Sequence, residues 1–225
     1  MTSTEHSAAA RAEILERTDE HVRAVLAADS SGHDWHHIAR VRRVALRLAR
    51  DEGADPFIAE LGALLHDIAD WKFHGGDDQE GPRRAASWLA SLGVDRGTID
   101  HVSQIIQEVS FKGAGVATPT STLEGQVVQD ADRLDALGAL GIARAFAYGG
   151  HAGRAIHDPD VPCETHSTFA EYKKNSGPTI NHFYEKLLLL RDRMNTASGR
   201  RMAEARHRFM EEFLARFFAE WDGEA

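Results

Sequence analysis

The sequence predicts an all-α fold in a single domain. Apolar residues recur at spacings of three and four along most of the chain, as on the buried face of an amphipathic helix. No Asn-Gly or Asp-Gly turn joins two alternating segments, so the chain carries no hairpin signal. With 225 residues, 42% of them hydrophobic, the chain can bury a sizeable core. We therefore expect a bundle of helices over residues 1–225.

Five helices are predicted in the first half of the chain, each from an apolar stripe or a boundary signal. They are a helix with a stripe from Ile14 to Leu26, a helix with Ile38, Val41, Ala45 and Leu48 inward, a helix from about Pro56 to Asp67 with Phe57, Leu61, Leu64 and Leu65 inward, a helix over about 82–92 closed by Gly93, and a helix over about 96–109.

The second half is predicted to open with a capping box, Ser121 followed three residues later by Glu124. It begins a long helix through Asp130 and Asp135 that ends near 138–141 or continues with a kink. Two Gly-rich turns and two prolines then predict a long lid-like loop over 149–168. The last 45 residues predict two further helices, over about 179–194 and 197–221.

Charge and composition exclude several classes of partner. The formal net charge of −9 argues against a nucleic-acid polymer, whose binding needs a basic face. The beginning of the chain does not resemble a signal peptide, and no apolar run approaches the roughly 20 residues of a membrane span. With the single cysteine Cys163 no disulfide can form within the chain. We expect a cytoplasmic protein without a membrane partner, and its oligomeric state stays open.

The pair His66-Asp67 stands out by its setting. The dipeptide itself is uninformative, because the chain also contains His33-Asp34 and His157-Asp158. His66-Asp67, however, closes the apolar run 61–65, so both polar groups are expected to face the interior. An unpaired carboxylate there would cost several kcal/mol. A divalent cation removes that cost, which makes the pair a candidate ligand set.

A second polar cluster lies on the helix around residue 130. Asp130, Asp132 and Asp135 are interleaved with apolar residues that include Val128 and Leu134. Three aspartates within six residues suggest that at least one has a cation partner. The alternative is that they lie on the solvated side and cap the helix or pair with basic residues.

The order of these segments resembles the HD-domain superfamily of metal-dependent phosphohydrolases, an all-helical family named for its His-Asp pair. The resemblance extends over about residues 20–220 and implies an HD-domain helical bundle with a C-terminal helical extension. Its HD core would span about 20–140, and the helical C-terminal part with the lid-like loop about 141–225. The segments that carry it are His37-Ile38-Ala39-Arg40-Val41, Leu64-Leu65-His66-Asp67-Ile68 and Ala131-Asp132-Arg133-Leu134-Asp135.

The resemblance implies four metal ligands: His37, His66, Asp67 and Asp132. His37 is chosen over His33 and His36 because it begins the His-x-x-Arg-Val segment that matches the family. Asp132 is preferred for its place in the Ala-Asp-Arg-Leu segment. Asp130 and Asp135 remain alternatives, or orient a ligand histidine from outside the ligand set.

Two imidazoles and two carboxylates leave coordination positions open, as in a catalytic rather than a structural site. Mixed nitrogen and oxygen ligation favours one divalent transition metal, with Mn the first expectation and Fe, Co, Ni or Zn as alternatives to it. Such a metal lowers the pKa of bound water to about 7 and polarises a phosphoryl oxygen. Asp70 is then a candidate proton acceptor and Lys72 a candidate catalytic cation, although both residue types are also common on solvated surfaces.

The resemblance implies a small phosphorylated substrate, with nucleoside triphosphates the expectation for the bacterial subfamily it is most similar to. The alarmone-hydrolysing branch has a Glu-Asp pair where this chain has Ala69-Asp70. The two-metal cyclic-dinucleotide branch needs additional histidines, including an adjacent pair, between the His-Asp pair and the last aspartate. Only His74 and His101 lie there in this chain, and they are not adjacent. Candidate substrate-binding residues are His33, Lys112, Arg133 and Lys186.

Two other interpretations remain. A non-catalytic HD module that senses a nucleotide would keep the metal ligands but would not need an open metal position or Asp70. A purely structural helical protein would bind no metal at all, and its histidine and aspartate clusters would be solvated.

Overall fold

In the computed structural model, the structure describes residues 7–27, 34–69, 79–110, 116–164 and 177–224. Within these ranges it contains nine α-helices, one 3-10 helix and no strand, which confirms the all-α fold. None of the described helices is both long enough and apolar enough to cross a membrane. The chain divides into two compact units, one formed by residues 1–110 and 118–132 and the other by 111–117 and 133–225.

The first unit is built from five helices and most of a sixth. In chain order they are α1 Ala8–Val25, α2 Trp35–Glu52, α3 Pro56–Leu65, α4 Glu80–Ser91, α5 Arg96–Val109 and α6 Leu123–Asp135, the last belonging to this unit as far as Asp132.

Helix α3 is the central element of this unit, since every residue from Phe57 to Leu65 is buried. It packs against α1, α2 and α5. Close approach of neighbouring helices depends on Gly62, because a Cβ atom there would lie 3.2 Å from side-chain carbons of both Ile105 and Val128. Burial on all sides is what the near-continuous apolar run predicts for this segment.

Aspartate side chains begin three of these helices by accepting a hydrogen bond from a backbone N–H of the first turn. Asp34 accepts from His37 at 2.9 Å, Asp55 from Phe57 at 2.8 Å, and Asp95 from Thr98 at 3.0 Å. These caps place the helix starts where propensity alone would leave them uncertain.

The predicted capping box at Ser121 is wrong by one residue. Helix α6 begins at Leu123, and it is the Thr122 hydroxyl that accepts the N–H of Gly125, at 3.1 Å. Ser121 instead donates from its hydroxyl to the Glu108 carboxylate, at 2.8 Å. Glu124 accepts the N–H of Asp55 at 2.9 Å. Both residues of the expected capping box therefore form hydrogen bonds with residues on other parts of the chain instead of with each other's backbone.

The second unit contains α7 Gly138–His151, α8 Thr179–Glu185, a 3-10 helix Leu187–Arg193 and α9 Ala197–Trp221. Helix α7 packs against α8 and α9, and the 3-10 helix packs against α8 and α9. Aromatic rings form part of its core, with Phe183 stacked on Phe213 at 5.8 Å between ring centroids.

One predicted helix of this unit is shorter than expected. The helix expected over 179–194 ends at Glu185, because Lys186 leaves the helical region with φ −141° and ψ −60°. A 3-10 helix follows, in which residues three apart share a face. Leu187 and Leu190 are therefore both buried. Burial of this pair compensates for the poorer hydrogen bonds of the 3-10 geometry.

The predicted lid-like loop has a described part, residues 152–164, that is hydrogen-bonded to the start of α8. The N–H groups of Thr179 and Ile180 donate to the carbonyls of Ala155 and Ile156, at 2.9 and 3.0 Å. The side-chain amide of Asn181 donates to the carbonyl of Val161 at 3.0 Å. Residues 165–168 of the predicted loop lie outside the described ranges.

Candidate metal centre

His37 lies in the first turn of α2, at a position set by the helix start. Its N–H is the donor that the Asp34 side chain caps, and its own side chain is completely buried. The next residue on the chain, Ile38, is also fully buried, whereas His36 is exposed. The face that α2 turns into the first unit therefore carries His37 and leaves His36 outside.

His66 and Asp67 lie in the turn that follows α3 and not in its last turn. Nδ1 of His66 lies 2.9 Å from the carbonyl oxygen of Ala63, which can only accept a hydrogen bond. Nδ1 therefore carries the proton, and in the neutral ring Nε2 presents a lone pair. Such a bond from the far ring nitrogen is the usual way in which proteins orient a metal-binding histidine.

Asp132 comes from α6, one residue after the fully buried Ala131. Its carboxylate extends to the two histidines while remaining 31% exposed, and that of Asp67 is 17% exposed. The side chains of His37 and His66 are 0% and 2% exposed. The cluster thus has a buried imidazole side and a more accessible carboxylate side.

The donor atoms of these four residues converge on one small volume. The two Nε2 atoms lie 3.2 Å apart. Oδ2 of Asp67 lies 3.5 Å from Nε2 of His37 and 3.6 Å from that of His66. Oδ1 of Asp132 lies 3.5 and 3.8 Å from the same two atoms. The donor atoms of His37, His66 and Asp132 all lie within 4.8 Å of one another.

These spacings fit a metal ion. Bonds of about 2.1 Å place neighbouring donors about 3.0 to 3.4 Å apart in octahedral or tetrahedral coordination. The observed separations of 3.2 to 3.8 Å need a contraction of only a few tenths of an ångström. Two carboxylates against buried rings also carry a desolvation cost that a cation offsets. The donor set therefore fits a divalent metal.

The other two aspartates of α6 have different surroundings. Asp130 is fully buried and has polar partners of its own. Asp135 belongs to the second unit, where Arg144 approaches its carboxylate to 3.0 Å. In the same unit the guanidinium of Arg206 donates to the Leu134 carbonyl. Burial lowers the pKa of Arg206, and the negative charge of Asp135 opposes that shift.

The remaining predicted site residues divide into two groups. Arg133 is buried in the second unit and donates to the carbonyl of Arg193. Lys186 lies half-buried at the break between α8 and the 3-10 helix. The other four predicted residues lie outside the described ranges: His33, Asp70, Lys72 and Lys112.

Two contributors to the site were missed at the level of sequence. Asp34 caps the helix that carries His37, and an aspartate three residues before this candidate ligand was the available signal. The Ala63 carbonyl orients His66, for which the sequence holds no signal because the contact depends on where α3 ends.

Comparison with known proteins places this cluster in a family. The family model for the HD domain matches residues 34–137, a range that contains all four candidate ligands. The protein YpgQ of Bacillus subtilis (strain 168) is 40% identical over 198 residues, which cover 86% of each chain. The chain belongs to the HD-domain family. HD domains bind divalent metals, in agreement with the donor set described above.

Solved structures extend the similarity to nearly the whole chain. One from Lactobacillus plantarum has 38% identity and a TM-score of 0.84, over 99% of this chain and all of its own. An HD-superfamily hydrolase from Bacillus thuringiensis has 43% identity and a TM-score of 0.72, over 94% and 98% of the two chains. B. subtilis YpgQ in complex with ADP has 33% identity and a TM-score of 0.74, over 94% and 96%. These relatives support a hydrolase of the HD superfamily.

Proposed function

We propose that this HD-domain protein is a metal-dependent phosphohydrolase that acts on nucleotides, with His37, His66, Asp67 and Asp132 as the metal ligands. The observation that carries the proposal is the convergence of two imidazole nitrogens and two carboxylate oxygens at 3.2 to 3.8 Å. Four ligands leave one or two coordination positions for water and substrate.

The chemistry of the donors favours a transition metal over Mg²⁺, which prefers oxygen ligands. Mn is our first choice, with Fe, Co, Ni and Zn as the other candidates. A bound ion of this kind polarises a phosphoryl oxygen and lowers the pKa of a water molecule to about 7. The site thereby suits hydrolysis of a phosphate ester or anhydride, in which catalysis depends on positioning and charge neutralisation.

The chain's own residues set the direction of approach. His37 and His66 close the buried side of the site, so a substrate reaches it from the side of Asp67 and Asp132, whose carboxylates are 17% and 31% exposed. The Ala63 carbonyl holds the His66 ring in the orientation that turns Nε2 toward the site.

The remaining roles rest on sequence alone. We propose Asp70, three residues after the ligand Asp67, as the acceptor of a proton from the attacking water, and Lys72 as a cation that offsets charge on the phosphoryl group. We propose His33, Lys112, Arg133 and Lys186 as substrate contacts. A nucleotide substrate is supported by the crystal structure of YpgQ with ADP, which is a property of that relative.

The test is a hydrolysis screen of nucleoside mono-, di- and triphosphates with Mn²⁺, Co²⁺, Ni²⁺ or Mg²⁺. We expect release of phosphate or pyrophosphate with Mn²⁺ or Co²⁺, its loss in His66→Ala, and a large decrease in kcat in Asp70→Asn. No hydrolysis with any metal, together with tight nucleotide binding, would instead identify a nucleotide-sensing HD module. If the protein neither hydrolyses nor binds any of these nucleotides, both the phosphohydrolase and the nucleotide-sensing function are contradicted.

A further inference from the structure

Four charged side chains form a continuous network across α1, α2 and α3, hereafter the charge network: Arg23, Asp19, Arg42 and Glu60. Arg23 Nε lies 2.7 Å from Oδ2 of Asp19, whose Oδ1 lies 2.7 Å from Nη1 of Arg42. On its other side, Nε of Arg42 donates to Oε1 of Glu60, also at 2.7 Å. Two positive and two negative charges alternate, so the network is neutral and every link is attractive.

The network holds α2 on both sides of His37. Before His37, the guanidinium of Arg23 lies 4.3 Å from the ring centroid of Trp35, the first residue of α2. After it, Asp19 binds Arg42. Asp19 and Arg23 are four residues apart on α1, hence on the same face of that helix. One face of α1 thus contacts α2 at two residues, one before and one after His37 in the sequence.

The network also links the two helices that bring the imidazoles together. Arg42 lies on α2, which carries His37, and Glu60 lies on α3, which ends at the residue before His66. Arg42 is about 7.5 Å along the axis of α2 from His37. A rotation of α2 by about 5° over that length would move the imidazole by roughly 0.7 Å, more than the roughly 0.5 Å that a preorganised site tolerates.

Burial makes these links effective. The side chains of Asp19, Arg42 and Glu60 are 15%, 30% and 11% exposed, so solvent and salt screen them less than surface pairs. The planar guanidinium of Arg42 binds carboxylates on two different helices at once, which a lysine cannot do with the same geometry. Removing one member leaves a partly buried charge without its partner.

We propose that the charge network is a positioning device for the metal centre and that Asp19, Arg23, Arg42 and Glu60 are positioning residues for His37 and His66. This inference rests on the proposed metal site. Asp19 and Arg23 precede residues 34–137, to which the HD-domain model matches, so α1 contributes to the geometry of the centre from outside that match.

The test is a Co²⁺ titration of the full-length chain after metal removal, following both the dissociation constant and the d–d absorption spectrum of the bound ion. The variants are Asp19→Asn, Arg23→Met, Arg42→Met and Arg42→Lys. Arg84→Met is the matched control, because Arg84 forms a 2.7 Å ion pair with Glu80 on the surface of α4, in the same unit.

We expect Arg42→Met to raise the Co²⁺ dissociation constant about 10-fold, the low end of the effect of losing a residue bonded directly to a metal ligand. The d–d spectrum should also change, because α2 and α3 lose the link that fixes His37 relative to His66. The Co²⁺ dissociation constant of Arg42→Lys should lie between those of Arg42→Met and the wild-type protein. Arg84→Met should bind and absorb as wild type. If Arg42→Met and Asp19→Asn keep the wild-type dissociation constant and spectrum, while unfolding at lower temperature, the network only stabilises the fold and the inference is overturned.

Two further measurements make the result decisive. If Arg42→Met does not fold by circular dichroism, Arg23→Met decides, because the Arg23 side chain is 58% exposed. Its loss removes the contact with Trp35 and the ion pair with Asp19, while Arg42 keeps both Asp19 and Glu60. An unchanged Co²⁺ spectrum and affinity in Arg23→Met then rejects the inference. Wild-type protein that binds Co²⁺ with the expected variant effects but hydrolyses no nucleotide would contradict the proposed function and leave the positioning role intact.

Discussion

Nε2 of His37 and Nε2 of His66 lie 3.2 Å apart, although 29 residues separate the two histidines in the chain. Their rings meet edge to face, at 69° and 5.2 Å between centroids. Because Nδ1 of His66 donates to the Ala63 carbonyl, the lone pair on Nε2 of His66 is available at this meeting point. Two imidazoles so arranged beside two carboxylates form a donor set that fits a divalent cation.

Replacing His37 tests the choice among neighbouring histidines. His37→Ala removes one of four donors, and we expect the bound metal per chain to fall at least 10-fold in protein purified with Mn²⁺. His36→Ala is the matched control, because His36 is adjacent in sequence but exposed, and it should keep its metal. Elemental analysis measures both. Metal loss in His36→Ala with retention in His37→Ala would reverse the assignment.

Replacing two aspartates of α6 by asparagine should separate metal affinity from stability. Asp132→Asn is expected to weaken metal binding at least 10-fold with little change in the stability of the metal-free protein. Asp135→Asn should keep metal affinity but lower stability by about 2 kcal/mol, because it leaves Arg144 without the carboxylate now 3.0 Å away. Metal titration and urea unfolding separate the two effects. Equal losses of metal affinity in Asp132→Asn and Asp135→Asn would contradict the choice of Asp132 over Asp135 as the ligand.

Metal binding should stabilise the folded chain. Free Mn²⁺ at 100 times its dissociation constant is expected to raise the free energy of unfolding by about 2.7 kcal/mol, because the ligand set exists only in the folded state. Thermal unfolding with Mn²⁺ and with a chelator measures the difference. The metal-induced increase in Tm should disappear in His66→Ala, and an increase that persists there would place the bound ion elsewhere.

Alanine substitution at two adjacent glycines near the end of α7 should have very different effects on the free energy of unfolding. A Cβ atom on Gly149 would lie 2.2 Å from the Thr179 hydroxyl, at the buried start of α8, so Gly149→Ala should destabilise the protein by about 1 to 3 kcal/mol. Gly150 has nothing within 4 Å of an added Cβ. Gly150→Ala should therefore be neutral or slightly stabilising, since alanine favours the helix. Urea unfolding checks both, and equal stabilities would contradict the close packing of α7 on α8.

Apolar periodicity predicted most of the helices. It placed α5 over the observed residues and put Ile38, Val41, Ala45 and Leu48 inward on α2, where all four are fully buried. This worked because the identity of a helix and its buried face depend on local spacing. The charged residues of α1 and α2 carried no such signal, so Arg42 and its partners were not singled out. Their importance depends on partners on other helices.

The sequence by itself determined the all-α fold, the family resemblance and the candidate ligands His37, His66, Asp67 and Asp132. Only the tertiary structure decided that their donor atoms converge, that Asp135 pairs with Arg144, and that Thr122 rather than Ser121 caps α6. The physical reason is the range of the interactions. Helix periodicity is a property of consecutive residues, whereas the partner of a carboxylate or hydroxyl depends on which distant side chain packing brings within about 3 Å.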